Sequence, residues 1–359
     1  MSYKPSWRSF ASVTASNIGT VFDSNTVDRS EDNIVGAFDV EEIDTDLFRS
    51  LRLYIPAGAR GVYGGQVIAQ ATLSATKTVR PEMKLHSIHC YFIFAGDPDI
   101  PILYQVTRIR EGKSYATRSV QARQRGKAIF TLMCSFHTPE PGLSHQLPMQ
   151  ELASIPHPDT IKPEENTFHR WISEVEAKKK KMEDDAADGE ATTKMEDLLS
   201  LLKMKLDESR ISPVETRLIS NHLEEGTGKT GKSTRMLWFR SRAPVPPVDA
   251  MRKAFVAFAS DFHLIGTVSS ALGLNFRTSK PRLAMMVSLD HTMWFHNDIE
   301  PSQWMLYVME APWSGGARGL AHGKIYSMDG TLLVSVSQEG MIRVETEKKR
   351  KTIEASAKL

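Results

Sequence analysis

Three polar side chains stand at positions where the surrounding sequence predicts buried apolar residues. Asp261 lies within an apolar helix pattern, Ser288 begins the strand-like segment 288–296, and Gln338 lies inside an apolar strand. A buried polar group costs about 1–3 kcal/mol unless it finds a hydrogen-bond partner. We therefore expect the three side chains to partner one another around something polar, such as a catalytic water molecule.

Periodicity places these side chains on particular faces of their elements. Asp261 shares one helical stripe, at i, i+3, i+4 and i+7 spacing, with Ala254, Ala257, Phe258, Ile265 and Val268. Burial on that stripe would raise the pKa of its carboxyl toward the range that suits a general base. Gln338 shares a strand face with Leu332, Val334 and Val336. Simple alternation groups Ser288 with Met286, Asp290 and Trp294.

Four segments of the chain carry a resemblance to a known family. They are Tyr63-Gly64-Gly65-Gln66-Val67, Ala259-Ser260-Asp261, the segment 288–296 and Ser337-Gln338-Glu339-Gly340. These segments resemble the marker segments of the type II acyl-CoA thioesterases, and the resemblance covers roughly residues 36–145 and 212–344. It implies an α+β double hotdog, built from two tandem units of a helix and an antiparallel sheet. It also implies hydrolysis of acyl-CoA to fatty acid and CoA without a cofactor.

The resemblance also assigns roles to the three polar residues. The family uses an Asp, a hydroxyl residue and a Gln to hold one water molecule, and these match Asp261, Ser288 and Gln338. The hydroxyl position is more familiar as Thr, but the role needs only the hydroxyl group. Backbone N–H groups near Gly64 and Gly65 are candidates for binding the oxyanion.

Two other functions compete with thioester hydrolysis. A hotdog hydratase acting on enoyl-CoA would need an Asp and a His around an Asn-Pro turn, whereas Asp261 is followed by Phe262-His263-Leu264. A non-catalytic acyl-CoA binding module would have no reason to keep the three polar residues together. A serine hydrolase is disfavoured because the sequence contains no G-x-S-x-G motif.

The chain repeats one helix-plus-sheet unit. His86 to Phe92 aligns with Ser288 to Trp294 at an offset of 202, and helices are expected over about 65–78 and 248–272, with one strand over 285–296. Arg125-Gly126-Lys127 aligns with Asp329-Gly330-Thr331 at an offset of 204, which places Cys134 opposite Gln338, so the polar set belongs to the second copy alone. Two such units should pack together within the chain, with the site near their boundary.

These observations divide the chain into five segments. They are an irregular segment 1–35, a first unit 36–145, a connecting segment 146–211, a second unit 212–345 and an exposed tail 346–359. Within the connecting segment, residues 174–205 carry a lysine run and an acidic run, which favours an exposed insertion with a short helix over 195–206. We therefore expect this insertion to be dispensable for folding.

Composition excludes several classes of protein. The 359 residues carry a net charge of only +2, which gives no basis for nucleic-acid binding. No apolar run approaches the ~18 residues that span a bilayer, so no membrane span is expected.

The cysteines and histidines indicate no reactive or metal site. The two cysteines, Cys90 and Cys134, are expected to be buried, inert thiols. His263, His291 and His296 lack the spacing of a metal site.

The last three residues bear on location and partners. Ala357-Lys358-Leu359 is a small, a basic and a leucine residue, close to the peroxisomal S-K-L address. We therefore expect recognition by the peroxisomal import receptor and a location in the peroxisomal matrix, where acyl-CoA would be the substrate. Apart from this tripeptide, the sequence is also compatible with association of the chain into a homo-oligomer.

Overall fold

The computed structural model describes residues 36–149, 152–184, 189–219, 233–274 and 281–345. The predictions for segments 1–35 and 346–359, including the C-terminal tripeptide, lie outside the described residues.

The first unit is one helix lying on an antiparallel sheet. Helix α1 spans Gly64–Thr76. The sheet contains β1 (Val40–Asp44), β2 (Leu47–Ser50), β3 (Lys84–Phe92), β4 (Leu103–Glu111), β5 (Tyr115–Gln124) and β6 (Lys127–His137). In β5 every second residue is buried, as expected of a sheet with one face on the core.

Helix α1 is buried on all sides because the sheet wraps around it. Its buried residues include Gln66 and Gln70, whose side-chain amides both donate to the carbonyl oxygens of Ala37 and Arg52. The polar groups of the helix are therefore paired inside the core, which avoids the cost of burying them unpaired.

The second unit repeats this arrangement with a broken helix. Its strands are β7 (Val214–Leu218), β8 (Thr234–Ser241), β9 (Leu283–Ser288), β10 (Asp290–Phe295), β11 (Met305–Gly315), β12 (Arg318–Ser327) and β13 (Leu332–Val344). Its helices are α4 (Asp249–Ser260) and α5 (Leu264–Ala271). The sequence predicted one continuous helix over 248–272 and one strand over 285–296, and both predictions were wrong.

The two units share one continuous sheet. The strand order is β1-β2-β4-β5-β6-β3-β10-β13-β12-β11-β8-β7, with β9 pairing with β13 beside this path. The order reads the same from either end once each strand is replaced by its counterpart, and β3 pairs with β10 at the centre. Helix α1 packs against α4 over this central pair. The chain is therefore a double hotdog, as the resemblance implied.

Strand register identifies equivalent residues in the two units. Tyr104 pairs with Ala122 in the first unit, and Tyr307 pairs with Ile325 in the second, each offset by 203 positions. Arg118 pairs with Cys134, and Ala321, 203 positions after Arg118, pairs with Gln338, 204 positions after Cys134. Cys134 is therefore the counterpart of Gln338, in agreement with the sequence alignment.

The connecting segment differs from the expected exposed insertion. It forms two long helices, α2 (Glu164–Asp184) and α3 (Gly189–Ile211), which pack on each other. Their contact forms a small apolar core of Phe168, Trp171, Ile172, Val175, Leu199, Leu202 and Leu206. Lys178, Lys180 and Lys181 are exposed on the outside of this helical hairpin. The apolar residues before and after the charged runs supply the buried face.

The prediction about apolar runs also needs correction. The stretch Asp249–Ala271 is 23 residues long and apolar enough to cross a membrane, but 72% of its most apolar window is buried inside the protein. It comprises α4 and α5, which form the core of the second unit.

Two glycines in the strands allow α5 to pack closely on the sheet. A Cβ at Gly319 would lie 2.1 Å from Val268, and a Cβ at Gly340 would lie 2.2 Å from Ile265.

Candidate active site

Asp261 lies at the break between α4 and α5. Helix α4 ends at Ser260, and Asp261 occupies the position directly after it. His263 then adopts a left-handed conformation with φ 66°, which turns the chain before α5 begins at Leu264. The break leaves the Asp261 carboxylate pointing toward the sheet rather than along a continuous helix surface.

Ser288 reaches the site through a one-residue β-bulge. Ser288 pairs with Gly340, whereas Thr292 pairs with Ser337, so β9 and β10 together hold one residue more than the facing part of β13. Ser288 therefore faces the helices, together with Gln338. Beyond the bulge the phase reverses, and His291 is buried while Trp294 is exposed. The predicted grouping of Ser288 with Trp294 was wrong because it assumed uninterrupted alternation.

The structure brings the three polar side chains into hydrogen-bond contact. The Nε2 of Gln338 donates to Oδ1 of Asp261 at 2.7 Å and to Oγ of Ser288 at 2.8 Å. Oγ of Ser288 lies 3.5 Å from the same oxygen of Asp261. Gln338 is fully buried, whereas Asp261 and Ser288 keep some exposed surface. The trio therefore has a buried anchor and an accessible side.

The first unit completes the surroundings of Asp261. The N-terminus of α1 points at the carboxylate, and the backbone N–H of Gly65 donates to it. A Cβ at Gly64 would come within 2.8 Å of Oδ2 of Asp261, so only glycine permits this approach. The Gly65 N–H that the sequence suggested for an oxyanion is thus used by Asp261. The site lies at the boundary of the two units, as expected.

Opposing effects set the basicity of Asp261. Burial raises the pKa of this carboxyl, and the donors from Gln338, Gly65 and Ser288 act in the opposite direction. The positive end of the α1 dipole also favours the ionised form. The result is a carboxylate with a higher proton affinity than a solvated aspartate, which suits a general base.

One atom of the trio is left without a partner. The Oε1 of Gln338 is buried and accepts no hydrogen bond, while the Nε2 of the same amide makes two. The reverse orientation of the amide would place Oε1 against the carboxylate, where two acceptors repel each other. An unsatisfied acceptor at this point can bind a donor such as water.

Comparison with known proteins is consistent with this geometry. Family models of the acyl-CoA thioesterase N-terminal and C-terminal domains match residues 51–137 and 182–342. Acyl-coenzyme A thioesterase 8 of Rattus norvegicus is 34% identical over 316 residues, which cover 86% of this chain and 88% of the relative. The chain belongs to the type II acyl-CoA thioesterase family. This thioesterase hydrolyses acyl-CoA thioesters to fatty acid and CoA.

Two further proteins extend the comparison. The peroxisomal acyl-coenzyme A thioester hydrolase 1 of Saccharomyces cerevisiae is 26% identical to this thioesterase, and the match covers 80% of this chain and 87% of the relative. The crystal structure of acyl-CoA thioesterase II TesB2 from Mycobacterium marinum has a TM-score of 0.63 at 26% identity, covering 88% of this chain and 98% of that one. The similarity therefore extends over both units.

The neighbours Asp290 and His291 support the site of the thioesterase. Asp290 accepts the backbone N–H of Glu339 at 2.7 Å and so closes the bulge beside Ser288. His291 lies 2.9 Å from the hydroxyl of Ser260, and burial lowers its pKa to about 3. The same hydroxyl lies 2.9 Å from the carbonyl of Ala257, so the neutral imidazole ties β10 to the last turn of α4 through Ser260. The sequence predicted that both residues are structural.

The equivalent place in the first unit of the thioesterase is filled. Arg118 is fully buried there, next to Cys134, and its Nε and Nη2 donate to the hydroxyl and carbonyl of Thr78 just beyond the end of α1. Its other partners include the carbonyl of Arg110 and the carboxylate of Glu111. The second unit has Asp261 and Gln338 at this place, whereas the first unit has the guanidinium of Arg118, which is hydrogen-bonded to its neighbours.

The remaining site predictions concern cysteines and metals. Cys90 and Cys134 are both free and buried, and burial raises the pKa of each thiol, which keeps them unreactive. Among the described residues, no group of three His, Cys, Asp or Glu side chains is placed to bind a metal ion.

Proposed function

We propose that Asp261, Ser288 and Gln338 hold and activate the water molecule that cleaves the thioester. Asp261 takes one proton from the water as its oxygen bonds to the thioester carbonyl carbon. The tetrahedral intermediate then collapses, the carbon–sulfur bond breaks, and CoA leaves as a thiolate. A thiol of pKa ~8.5 is a good leaving group, so this step needs little assistance. The acid product then releases its proton to solvent, and Asp261 returns the proton it took from water to the thiolate or to solvent, which restores the carboxylate for the next turnover.

The observation that carries this proposal is the double hydrogen bond from Gln338. One amide nitrogen fixes both the carboxylate and the hydroxyl, at 2.7 Å and 2.8 Å, and so fixes the angle between them. The Oε1 of the same amide is buried and has no partner in the protein. A water molecule held by several fixed groups needs less reorganisation to attack, which lowers the barrier by several kcal/mol.

A nucleophilic serine is the competing mechanism for the same residues. Oγ of Ser288 lies 3.5 Å from Oδ1 of Asp261, too far for a well-formed hydrogen bond, and instead accepts a hydrogen bond from Nε2 of Gln338. A serine that receives a donor from an amide is a poorer nucleophile than one that donates to a base. The geometry therefore favours Ser288 as a group that orients water.

Turnover measurements on the full chain test the proposal. Asp261→Asn keeps the shape of the side chain and removes the base, so thiol release from acyl-CoA should fall by at least ~10²-fold while KM changes little. Ser288→Ala should lower turnover, and Ser288→Thr should remain active. The control is Asp249→Asn at the start of α4, whose carboxylate pairs with Lys253 outside the trio. It should turn over at the parent rate.

Two results would contradict the proposed mechanism. The first is an acyl group found on Ser288 by intact-mass analysis during turnover, accompanied by a burst of free CoA. The second is an Asp261→Asn protein that hydrolyses acyl-CoA as fast as the parent.

We also propose that the thioesterase acts in the peroxisomal matrix. Two observations support this: the residues Ala357-Lys358-Leu359, and a yeast relative whose name includes a peroxisomal location. A fluorescent fusion carrying the full chain at its C-terminal end should enter punctate organelles, and removing Leu359 should leave it in the cytosol. Punctate fluorescence without Leu359 would overturn the proposal.

A further inference from the structure

The end of α4 is held by a tyrosine from the sheet. The hydroxyl of Tyr307 in β11 donates to the carbonyl of Ser260 at 2.9 Å. In a continuous helix this carbonyl would accept the N–H of Leu264, four residues on. Here the chain turns between Asp261 and His263, so Tyr307 supplies the missing donor. The bond lies one residue before the proposed base.

A second tyrosine holds the same helix end from the other unit. The hydroxyl of Tyr63 donates to the carbonyl of Phe258 at 2.8 Å. Its ring stacks on Phe262, with ring centres 4.6 Å apart. Tyr63 directly precedes Gly64 and Gly65, which contact Asp261. The two tyrosines thus fix the helix end relative to both units.

The fold makes room for Tyr307 at a specific place. The side chain is 1% exposed, and its ring lies across Gly323 of the neighbouring strand. A Cβ at Gly323 would come within 2.5 Å of the ring and 2.9 Å of the hydroxyl. Because Gly323 has no side chain, the ring of Tyr307 fits against its backbone. In this position the hydroxyl reaches the carbonyl of Ser260.

We propose that Tyr307 is a positioning residue that holds the break after Ser260 and thereby directs Asp261 at Gln338 and Ser288. This inference rests on the proposed role of Asp261 as the base. Tyr307 touches neither water nor substrate in this role. It acts by replacing a helix hydrogen bond that the break removes.

The kinetic pKa of the thioesterase can report on the position of Asp261. Four buried titratable groups near this carboxyl are Tyr63, Tyr307, Cys90 and His291. Burial raises the pKa of the two phenols and of the thiol and lowers the pKa of the imidazole, so all four stay neutral in the working range. His263 and Asp290 also titrate on the acidic side, because burial lowers the pKa of His263 to about 4 and raises the pKa of Asp290. The part of the acidic limb that is lost in Asp261→Asn is therefore the part that reports on Asp261.

Tyr307→Phe removes one hydroxyl group and keeps the ring. Without a donor on the Ser260 carbonyl, the helix end should relax and carry Asp261 away from Gln338 and Gly65. Since these donors lower its pKa, their loss should shift the acidic limb to higher pH. A misplaced base should lower kcat by about 10-fold to 10²-fold with little change in KM.

The matched control lies at the equivalent position of the first unit. Tyr104 is fully buried, and its hydroxyl donates to Gln70 of α1 at 2.7 Å. Tyr104→Phe therefore removes the same buried hydroxyl from the same strand position, far from the polar trio. It should lower the thermal unfolding temperature by a similar amount, but leave kcat and the acidic limb at parent values.

The experiment compares kcat, KM, pH profile and unfolding temperature for the parent, Tyr307→Phe, Tyr104→Phe and Asp261→Asn. The proposal is supported if Tyr307→Phe alone combines a lower kcat with a shifted acidic limb. It is overturned if the two phenylalanine variants behave alike. Gly323→Ala, which displaces the Tyr307 ring by another route, should reproduce the shift if Tyr307→Phe fails to fold, and parent kinetics in it would also overturn the proposal. Parent activity in Asp261→Asn would instead refute the proposed function.

Discussion

Removing the side-chain amide of Gln338, which bonds both Asp261 and Ser288, should have the clearest effect on the site. Gln338→Leu preserves most of the side-chain volume within the apolar face of β13, but removes both donors and the buried Oε1. Asp261 then keeps the backbone N–H of Gly65 and the more distant hydroxyl of Ser288. The variant thus perturbs the base and the water site together while leaving the fold intact.

The size of the effect follows from the 2.7 Å hydrogen bond between Gln338 and Asp261. A hydrogen bond to a charged group contributes about 1.5–3 kcal/mol, and about 1.4 kcal/mol corresponds to one pKa unit. Losing this donor should therefore raise the pKa of Asp261, because the ionised carboxylate loses a hydrogen bond of this strength. Because the ionised form is the active one, the acidic limb should move to higher pH.

The assay is thiol release from one acyl-CoA between pH 5 and pH 9, with kcat and kcat/KM fitted separately. Gln124→Leu is the control, since it removes a buried amide from the first unit, where Gln124 bonds the carbonyls of Asp97 and Ile100. That variant should lose stability without a shift in the profile. An unmoved acidic limb in Gln338→Leu, with only kcat reduced, would show that Gln338 does not act on the base.

Three further predictions concern stability. Because burial raises the pKa of Asp261, ionisation of this carboxyl at neutral pH opposes folding. Asp261→Asn should therefore unfold at a higher temperature than the parent at neutral pH. This gain in unfolding temperature should vanish as the pH falls below the ordinary pKa of an aspartate. Burial raises the pKa of Glu208 to about 7, so the parent should lose up to about 3 kcal/mol of stability as pH rises from 4.5 through 7, and Glu208→Gln should remove this dependence in calorimetric scans. Leu202→Ala, in the core of the helical hairpin, should cost about 2–5 kcal/mol in denaturant titrations, whereas an unchanged midpoint would mean that the connecting segment is dispensable after all.

The sequence was sufficient to predict the units, their repeat and the burial of Gln338. It could not predict the break after Ser260, because Ile265 and Val268 continue the helical phase of the residues before it. The turn depends on His263 in a left-handed conformation, which its residue type tolerates but does not announce. The apolar stripe therefore predicted that Asp261 faces the sheet, but it predicted a continuous helix where the structure has a break between α4 and α5.

Tertiary pairing decided the other differences. Nothing at Leu289 signals a bulge, since neither Gly nor Pro marks the position, and only the register against β13 reveals the extra residue. In the connecting segment, Trp171 and Leu202 belong to one core although 31 positions separate them. Each helix alone has too much charge to suggest burial, and the buried face appears only when the two are placed together.

Arg118 has a consequence for how the two halves of the chain can evolve. Its guanidinium occupies the place that a second base and amide would need, and it is held by Thr78, Arg110 and Glu111. Replacing Cys134 with Gln would therefore put an amide beside a fixed cation, without an aspartate to receive it. Several coordinated substitutions separate the first half from activity, and single steps toward it lose stability. Equivalent positions on the strands of the two units should therefore tolerate different substitutions, although Gly64 and Gly65 of the first unit also serve the site in the second.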